Sequence, residues 1–242
     1  MNLVIDVGNT YVKLAVFKKH KLVLREVVVE AEAIETIISI KKKYKSIKQA
    51  IVSSVGRLNQ TIINYLKDTF DLVELNSNTK LPFTNNYKTP KTLGVDRLAL
   101  VSASVYLYPE NNVLIIDAGS CITYDFINTE NEYQGGAISP GIRMRYKALN
   151  NLTANLPLLG TEIPNSIIGD STESSIHSGI IYGVLNEIDG VIANYKEKYP
   201  DLTVILTGGD SYFLSKQLKS SIFANSNFLL EGLNHILQFN SN

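Results

Sequence analysis

Several stretches of this chain place a carboxylate or a hydroxyl beside glycine at the end of an apolar run. Leu3-Val4-Ile5 leads into Asp6-Val7-Gly8-Asn9-Thr10, followed by Tyr11-Val12-Lys13. Val113-Leu114-Ile115-Ile116 leads into Asp117-Ala118-Gly119-Ser120, and residues 202–206 lead into Thr207-Gly208-Gly209-Asp210. Gly135-Gly136-Ala137-Ile138-Ser139-Pro140-Gly141 is a further glycine-rich element. An aspartate is a hard oxygen ligand suited to Mg²⁺. Asn9 and Thr10 offer small donors, and glycine lets a backbone approach a ligand closely. Together these groups suit a phosphate-plus-metal site. Each turn alone has a plainer reading, in which Asp and Asn satisfy nearby backbone groups.

The elements that must hold these residues follow from periodicity. Residues 3–7 read as a buried strand, and 11–17 and 22–29 as two more, joined by a lysine-rich turn at 18–21. Helices are expected over 31–43 and 59–70, the second capped by Asn59, with strands over 49–55, ending at Gly56, and over 72–75. Residues 76–92 form a polar loop containing Tyr87. A helix begins at Gly94-Val95-Asp96-Arg97 and runs to about residue 108. The second half starts the same way: strands at 112–117, 121–127 and 132–138, then a helix at 142–149. A loop over 150–171, one long helix or two over 172–199, a strand at 202–206, a helix, a short strand near Phe223 and a closing helix at 229–239 complete the chain. The repeated order points to an internal duplication, two α/β domains over 1–110 and 111–242 with a cleft between them for a ligand.

Composition narrows the field. The chain has 242 residues, with 23 Lys plus Arg against 23 Asp plus Glu, so no global field invites nucleic acid. The lysines at 41, 42, 43, 45 and 48 suit the solvated end of a helix. The one cysteine, Cys121, excludes an intrachain disulfide framework and a Cys-based zinc site, and reads as a small apolar side chain. The three histidines are far apart. No leader is apparent before the first strand, and no apolar run is long enough to cross a membrane. A soluble cytoplasmic protein that binds neither membrane nor nucleic acid is the expectation. There is no Walker A sequence, and no G-x-G-x-x-G follows a strand.

Two Asp-x-Gly turns and a late Thr-Gly-Gly at a strand end resemble the acetate and sugar kinase/Hsp70/actin superfamily. The fold this implies is a pair of ribonuclease H-like (actin-like ATPase) domains with mixed sheets flanked by helices. The order Asp6-Val7-Gly8-Asn9-Thr10, Gly94-Val95-Asp96-Arg97, Asp117-Ala118-Gly119-Ser120-Cys121-Ile122-Thr123, then Gly135 to Gly141, is similar to that of type III pantothenate kinases. The resemblance runs nearly end to end. It implies ATP-dependent phosphorylation of pantothenate to 4′-phosphopantothenate, the first step of coenzyme A synthesis, by a homodimer.

The resemblance also implies roles. Asp96 is the expected general base for the pantothenate hydroxyl, and Tyr87, Gly94, Val95, Arg97 and Thr172 join it in substrate binding. Asp6, Val7, Gly8, Asn9, Thr10, Tyr11, Val12 and Lys13 are expected to hold ATP phosphates, with Asp6 taking Mg²⁺. Ser120, where the family usually has threonine, keeps the hydroxyl for ATP. Asp117 is the expected ligand of a monovalent cation, K⁺ or NH₄⁺. Plainer readings stand beside these. Asp96 can also be read as a first-turn aspartate facing the helix dipole, Arg97 as a surface ion pair, Tyr87 as a packed loop aromatic, Thr172 as a helix N-cap, and Lys13 as an outward strand residue. A rival from another class is a non-catalytic homologue acting as a transcription-activator accessory protein. A second rival is a superfamily enzyme acting on another hydroxyl or phosphate.

Overall fold

The computed structural model describes residues 1–8, 10–54 and 59–241. Asn9 and residues 55–58, which include the expected strand end at Gly56, lie outside the described residues. Contacts divide the chain into two compact units. The first comprises Met1–Glu110, Glu130–Tyr133 and Asn227–Asn242; the second comprises Asn111–Thr129 and Gln134–Ser226.

The first unit carries β1 (Asn2–Val7), β2 (Val12–Lys18), β3 (Lys21–Val28), α1 (Glu30–Lys43), β4 (Gln49–Ser54), α2 (Gln60–Thr69), β5 (Asp71–Glu74), β6 (Thr84–Asn85) and α3 (Val95–Leu107). A short 3₁₀ turn spans Pro90–Thr92. The second carries β7 (Val113–Ala118), β8 (Cys121–Ile127), most of β9 (Glu132–Pro140), α4 (Ile142–Asn151), α5 (Thr172–Lys198), β10 (Thr203–Thr207), α6 (Ser211–Ser215) and β11 (Phe223–Ala224). The closing helix α7 (Phe228–Phe239) belongs to the first unit.

The expected duplication is present in the topology. The first sheet has the order β3-β2-β1-β4-β5, with β1 antiparallel to β2 and parallel to β4. The second has β9-β8-β7-β10-β11, with β7 antiparallel to β8 and parallel to β10. Strand for strand, the two orders are the same. The two-residue β6 pairs with Glu132 and Tyr133 at the start of β9.

In the first unit, β1 is buried on both faces, and alternation assigns each side chain to a layer. Leu3, Ile5 and Val7 pack with Ala33, Ile37 and Ile40 of α1 and Ile62 and Leu66 of α2. Val4, with Ala15, Phe17 and Ile51, packs on Ala99 of α3 and Leu230, Leu233, Ile236 and Leu237 of α7. Asp6 shares the parity of Val4, Lys13 that of Ala15, and Ser53 that of Ile51. All three therefore belong to the face covered by α3 and α7. In the second unit, Leu114, Ile116, Ala118, Ile122, Tyr124 and Phe126 pack against Ile176, Ile180, Ile181, Val184 and Ile188 of α5, which is one continuous helix.

Candidate active site

The opening strand ends in the expected tight connection. Val7 pairs with Val12, Asp6 with Lys13, and the Gly8 N–H donates to Tyr11 O at 3.0 Å. That amide is committed to closing the turn. Gly8, Thr10 and Tyr11 are exposed, whereas Val7 and Val12 are buried and act as strand core. Asp6 is only 5% exposed and accepts from Lys13 Nζ at 3.1 Å on Oδ2. Lys13 therefore faces Asp6 across the hairpin, and it is not an isolated outward strand residue. Burial pushes the Asp6 carboxyl above the ordinary carboxylate range; Lys13 opposes this, and the nearby charge of Asp96 adds to it.

Asp96 is delivered to the same place by the first turn of α3. Gly94 forms the N-cap, and the Arg97 N–H donates to Asp96 Oδ1 at 2.8 Å. The carboxylate thus sits at the positive end of the helix dipole with one oxygen fixed. A Cβ on Gly94 would collide with Asp96 Oδ1, so glycine here clears the space that the carboxylate occupies. Val95 packs against the core beneath.

Arg97 is 5% exposed, with its guanidinium 5.5 Å from the centre of the Tyr87 ring. Tyr87 in turn stacks on Tyr133, centroid to centroid 6.0 Å at 17°. Tyr133 is completely buried and also meets Phe83 edge-on. Backbone bonds fix the loop on this platform: Thr84 N donates to Asn131 O and Asn86 N to Tyr133 O, while Tyr87 N donates to Asn85 Oδ1. Tyr87 is thus a half-buried ring held between an arginine and a buried tyrosine. Tyr133 was not singled out from sequence, and only the β6 pairing reveals it.

The second unit assembles its own turn. Asp117 pairs with Thr123, and Gly119 N donates to Cys121 O at 2.9 Å. Gly141 N donates to Ser120 O, and Asp210 N donates to Ala118 O at 2.9 Å. The two other glycine-rich elements therefore converge on the second Asp-x-Gly turn. Ser120 itself is exposed. Gly208 has φ +94°, and a Cβ there would collide with Ala118 O and Asp117 Oδ1. Arg143 donates twice to Asp210 Oδ1, at 2.8 and 2.9 Å. Burial raises the Asp210 carboxyl despite that partner.

Thr172 is the first residue of α5, but it does not cap it. Ser171 and Ser174 form the capping box, so the N-cap reading of Thr172 falls. Thr172 instead lines an open cavity of about 770 Å³ together with Leu149, Leu156, Asp170, Ser175 and Ile176.

The residues suit the groups that a phosphate-transfer reaction needs. Among the described residues no group of three His, Cys, Asp or Glu side chains is placed to hold a metal. Mg²⁺ does not require one, since it is commonly held by one or two carboxylates plus substrate phosphates. Asp6 supplies a buried carboxylate, and the wholly buried Ser53 Oγ, paired in register with Asp6, has no hydrogen-bond partner among the described residues.

The topology and the turns define an actin-like α/β fold. A glucokinase from an Antarctic psychrotroph matches it with a TM-score of 0.55 over 98% of each chain at 12% identity. A Campylobacter jejuni protein described as a Baf family transcriptional activator matches at 0.63 over 99% of each chain, with 20% identity. At such identities the likeness is one of fold alone. A profile of type III pantothenate kinases matches residues 2–194. A relative from Christiangramia forsetii bearing that name is 54% identical over 99% of both chains. This chain belongs to the type III pantothenate kinase family. It is an ATP-dependent kinase of pantothenate, and the accessory-protein alternative is not favoured.

Proposed function

We propose that the first unit divides the phosphorylation of pantothenate between Asp6 and Asp96. The observation that carries this reading is their juxtaposition: Asp6 at the end of β1 and Asp96 on the first turn of α3 feel each other's charge. A cation beside them lowers the cost of keeping both carboxylates charged. Asp6 would hold the Mg²⁺ of the nucleotide, which supplies neutralisation of phosphate charge, and the turn amides of Thr10 and Tyr11 would donate to the phosphate oxygens. Lys13 balances Asp6 from the other side.

Asp96 is then the base. Its Oδ1 is held by the Arg97 N–H, which leaves Oδ2 to take the proton as the primary hydroxyl oxygen of pantothenate bonds to the γ-phosphorus and ADP departs. Such a transfer needs orientation more than a strong base, which a helix-anchored carboxylate provides. Arg97 suits the carboxylate of pantothenate, and Tyr87 keeps the guanidinium plane in place. Gly94 and Val95 shape the wall beside them, and Thr172 contributes a hydroxyl to substrate binding. Ser120 contacts ATP, and Asp117 takes K⁺ or NH₄⁺ as a monovalent cation. The protein works in the cytoplasm as a homodimer; among the described residues no helix is long and apolar enough to cross a membrane.

One assay tests the core of this reading: ATP-dependent phosphate transfer to pantothenate, with and without K⁺, by wild type and Asp96→Asn. Transfer by wild type and its loss in the variant are expected. Full transfer by the variant would remove Asp96 as the base, and indifference to K⁺ would remove the monovalent cation.

A further inference from the structure

Within the second unit, the exposed turn at Ser120 is backed by a chain of contacts that ends on α5. Gly141 N donates to Ser120 O at 3.2 Å, and a Cβ on Gly141 would collide with the carbonyls of Gly119 and Ser120. The end of β9 is therefore pressed against the turn, backbone to backbone. The residues just before it, Ser139 and Pro140, are gripped by one side chain. Arg145, one turn into α4, donates from Nε to Pro140 O at 2.9 Å and from Nη2 to Ser139 Oγ at 3.1 Å. Nη2 also donates to Glu187 Oε2, and Tyr124 Oη donates to Glu187 Oε1 at 3.0 Å. Glu187 stands on a fixed base, since Val184 and Ile188 beside it in α5 are completely buried. An isolated surface ion pair contributes little, but this one is half-buried and belongs to a network whose members hold one another in place. Burial works against the charge of Glu187, yet the hydrogen bonds from Arg145, Ser139 and Tyr124 hold its carboxyl below the ordinary carboxylate range.

We propose that Arg145, braced by Glu187, is a positioning residue for nucleotide binding: through Ser139, Pro140 and Gly141 it fixes the Gly119–Ser120 turn so that the Ser120 hydroxyl meets ATP. The inference rests on the reading of Ser120 as an ATP contact. Arg145 and Glu187 act on the nucleotide only through that turn. The planar fork of arginine suits the task, because it reaches a carbonyl, a hydroxyl and a carboxylate from one rigid group. A lysine at this place keeps the charge and loses the fork.

The test compares Arg145→Met, Arg145→Lys, Glu187→Gln, Ser120→Ala and the double variant Ser120→Ala/Arg145→Met. Three quantities are read: the melting temperature, the calorimetric affinity for a non-hydrolysable ATP analogue with Mg²⁺, and KM for ATP against KM for pantothenate. Binding and kinetics are measured well below the lowest melting temperature, so that every variant is folded. Ser120→Ala is expected to bind the analogue about 10-fold more weakly, the scale of a hydrogen bond to a charged group. Arg145→Met should approach that loss with the hydroxyl still present, raise KM for ATP to match, and leave KM for pantothenate unchanged. Arg145→Lys should recover part of the affinity. Glu187→Gln can still accept from Arg145 and should lose less than Arg145→Met. In the double variant the two losses should not add, because both act on one contact. Wild-type affinity for the analogue in Arg145→Met would overturn the proposal, whatever its melting temperature. So would an equal rise in both KM values, which a general loosening of the fold would give, or losses that add in full in the double variant. If Ser120→Ala binds the analogue as wild type does, the reading of Ser120 fails and takes the proposal with it. Weak binding by Ser120→Ala beside wild-type binding by Arg145→Met removes the proposal alone.

Discussion

The carboxylate of Asp96 occupies the space that a side chain on Gly94 would need. Gly94 has φ −58° and ψ 135°, a conformation open to any residue, so its identity is set by this contact and not by backbone strain. The obstructing atom is the free end of a side chain and can swing away. Gly94→Ala should therefore fold with a stability change within about 1 kcal/mol. It should lose activity by about 10²-fold, because a displacement near 1 Å at the base is costly. Thermal melts and kcat measured together check this. A large loss of stability would show that the backbone, not Asp96, needs the glycine.

Asp6 carries a cost that function explains. Its folded carboxyl is raised, so between the ordinary carboxylate range and that raised value the folded state holds a proton that the unfolded state has released. Stability consequently falls as pH rises through that window, and above it the buried charge is a net burden. Asp6→Asn removes the charge and keeps the shape. Its melting temperature should match or exceed that of wild type above that window, with a flatter slope through it. Lys13 loses its partner, but at 39% side-chain exposure water screens much of that loss. Activity should fall by at least about 10²-fold. A variant that is both active and less stable would contradict both parts.

The sequence made the local features legible and left the registers hidden. The hairpins, the Asp-x-Gly turns and the helices of both halves can be read because apolar runs, alternation and glycine act over a few residues. The strand β6 cannot be read, since two residues are too few for any period. Tyr133 is invisible as the platform for Tyr87 because only the pairing of Asn85 with Tyr133 brings them together. Thr172 leaves two readings open in sequence, because Ser171-x-x-Ser174 lacks the Glu or Gln that marks a capping box and only its hydrogen bonds reveal the cap. The roles proposed for Asp96, Arg97 and Asp117 rest on motif order, since the residue types alone fit solvated or capping positions.

The Arg97–Tyr87–Tyr133 stack gives a separate prediction for substrate affinity. Arg97→Lys keeps the charge but loses the planar fork and the stacking face. KM for pantothenate should rise by about 10-fold or more, with a smaller change in kcat. Tyr87→Phe keeps both ring contacts and should stay close to wild type. Tyr87→Leu releases Arg97 and uncovers Tyr133, and should behave like Arg97→Lys. Steady-state kinetics with pantothenate varied at saturating ATP separates these cases. Equal behaviour of Phe and Leu at this position would show that the ring does not hold Arg97.

Gly208 ties the late glycine loop to the second Asp-x-Gly turn, and its substitution should act on stability and on the cation together. At φ +94° an L-residue is strained, and its Cβ would collide with Ala118 O and Asp117 Oδ1. One of these is backbone and cannot swing away, unlike the contact at Gly94. Gly208→Ala should therefore cost about 2–4 kcal/mol, combining left-handed strain with overpacking. For a chain of this size that is a fall of roughly 5–15 °C in melting temperature. The same collision displaces the Asp117 carboxylate, so the residual activity should need more K⁺ for half-maximal rate. Asp117→Asn provides the comparison, since it should lose the K⁺ response with a much smaller fall in melting temperature. If Gly208→Ala melts lower but keeps the wild-type K⁺ response, the loop supports the fold alone, and Asp117 does not depend on it for its position.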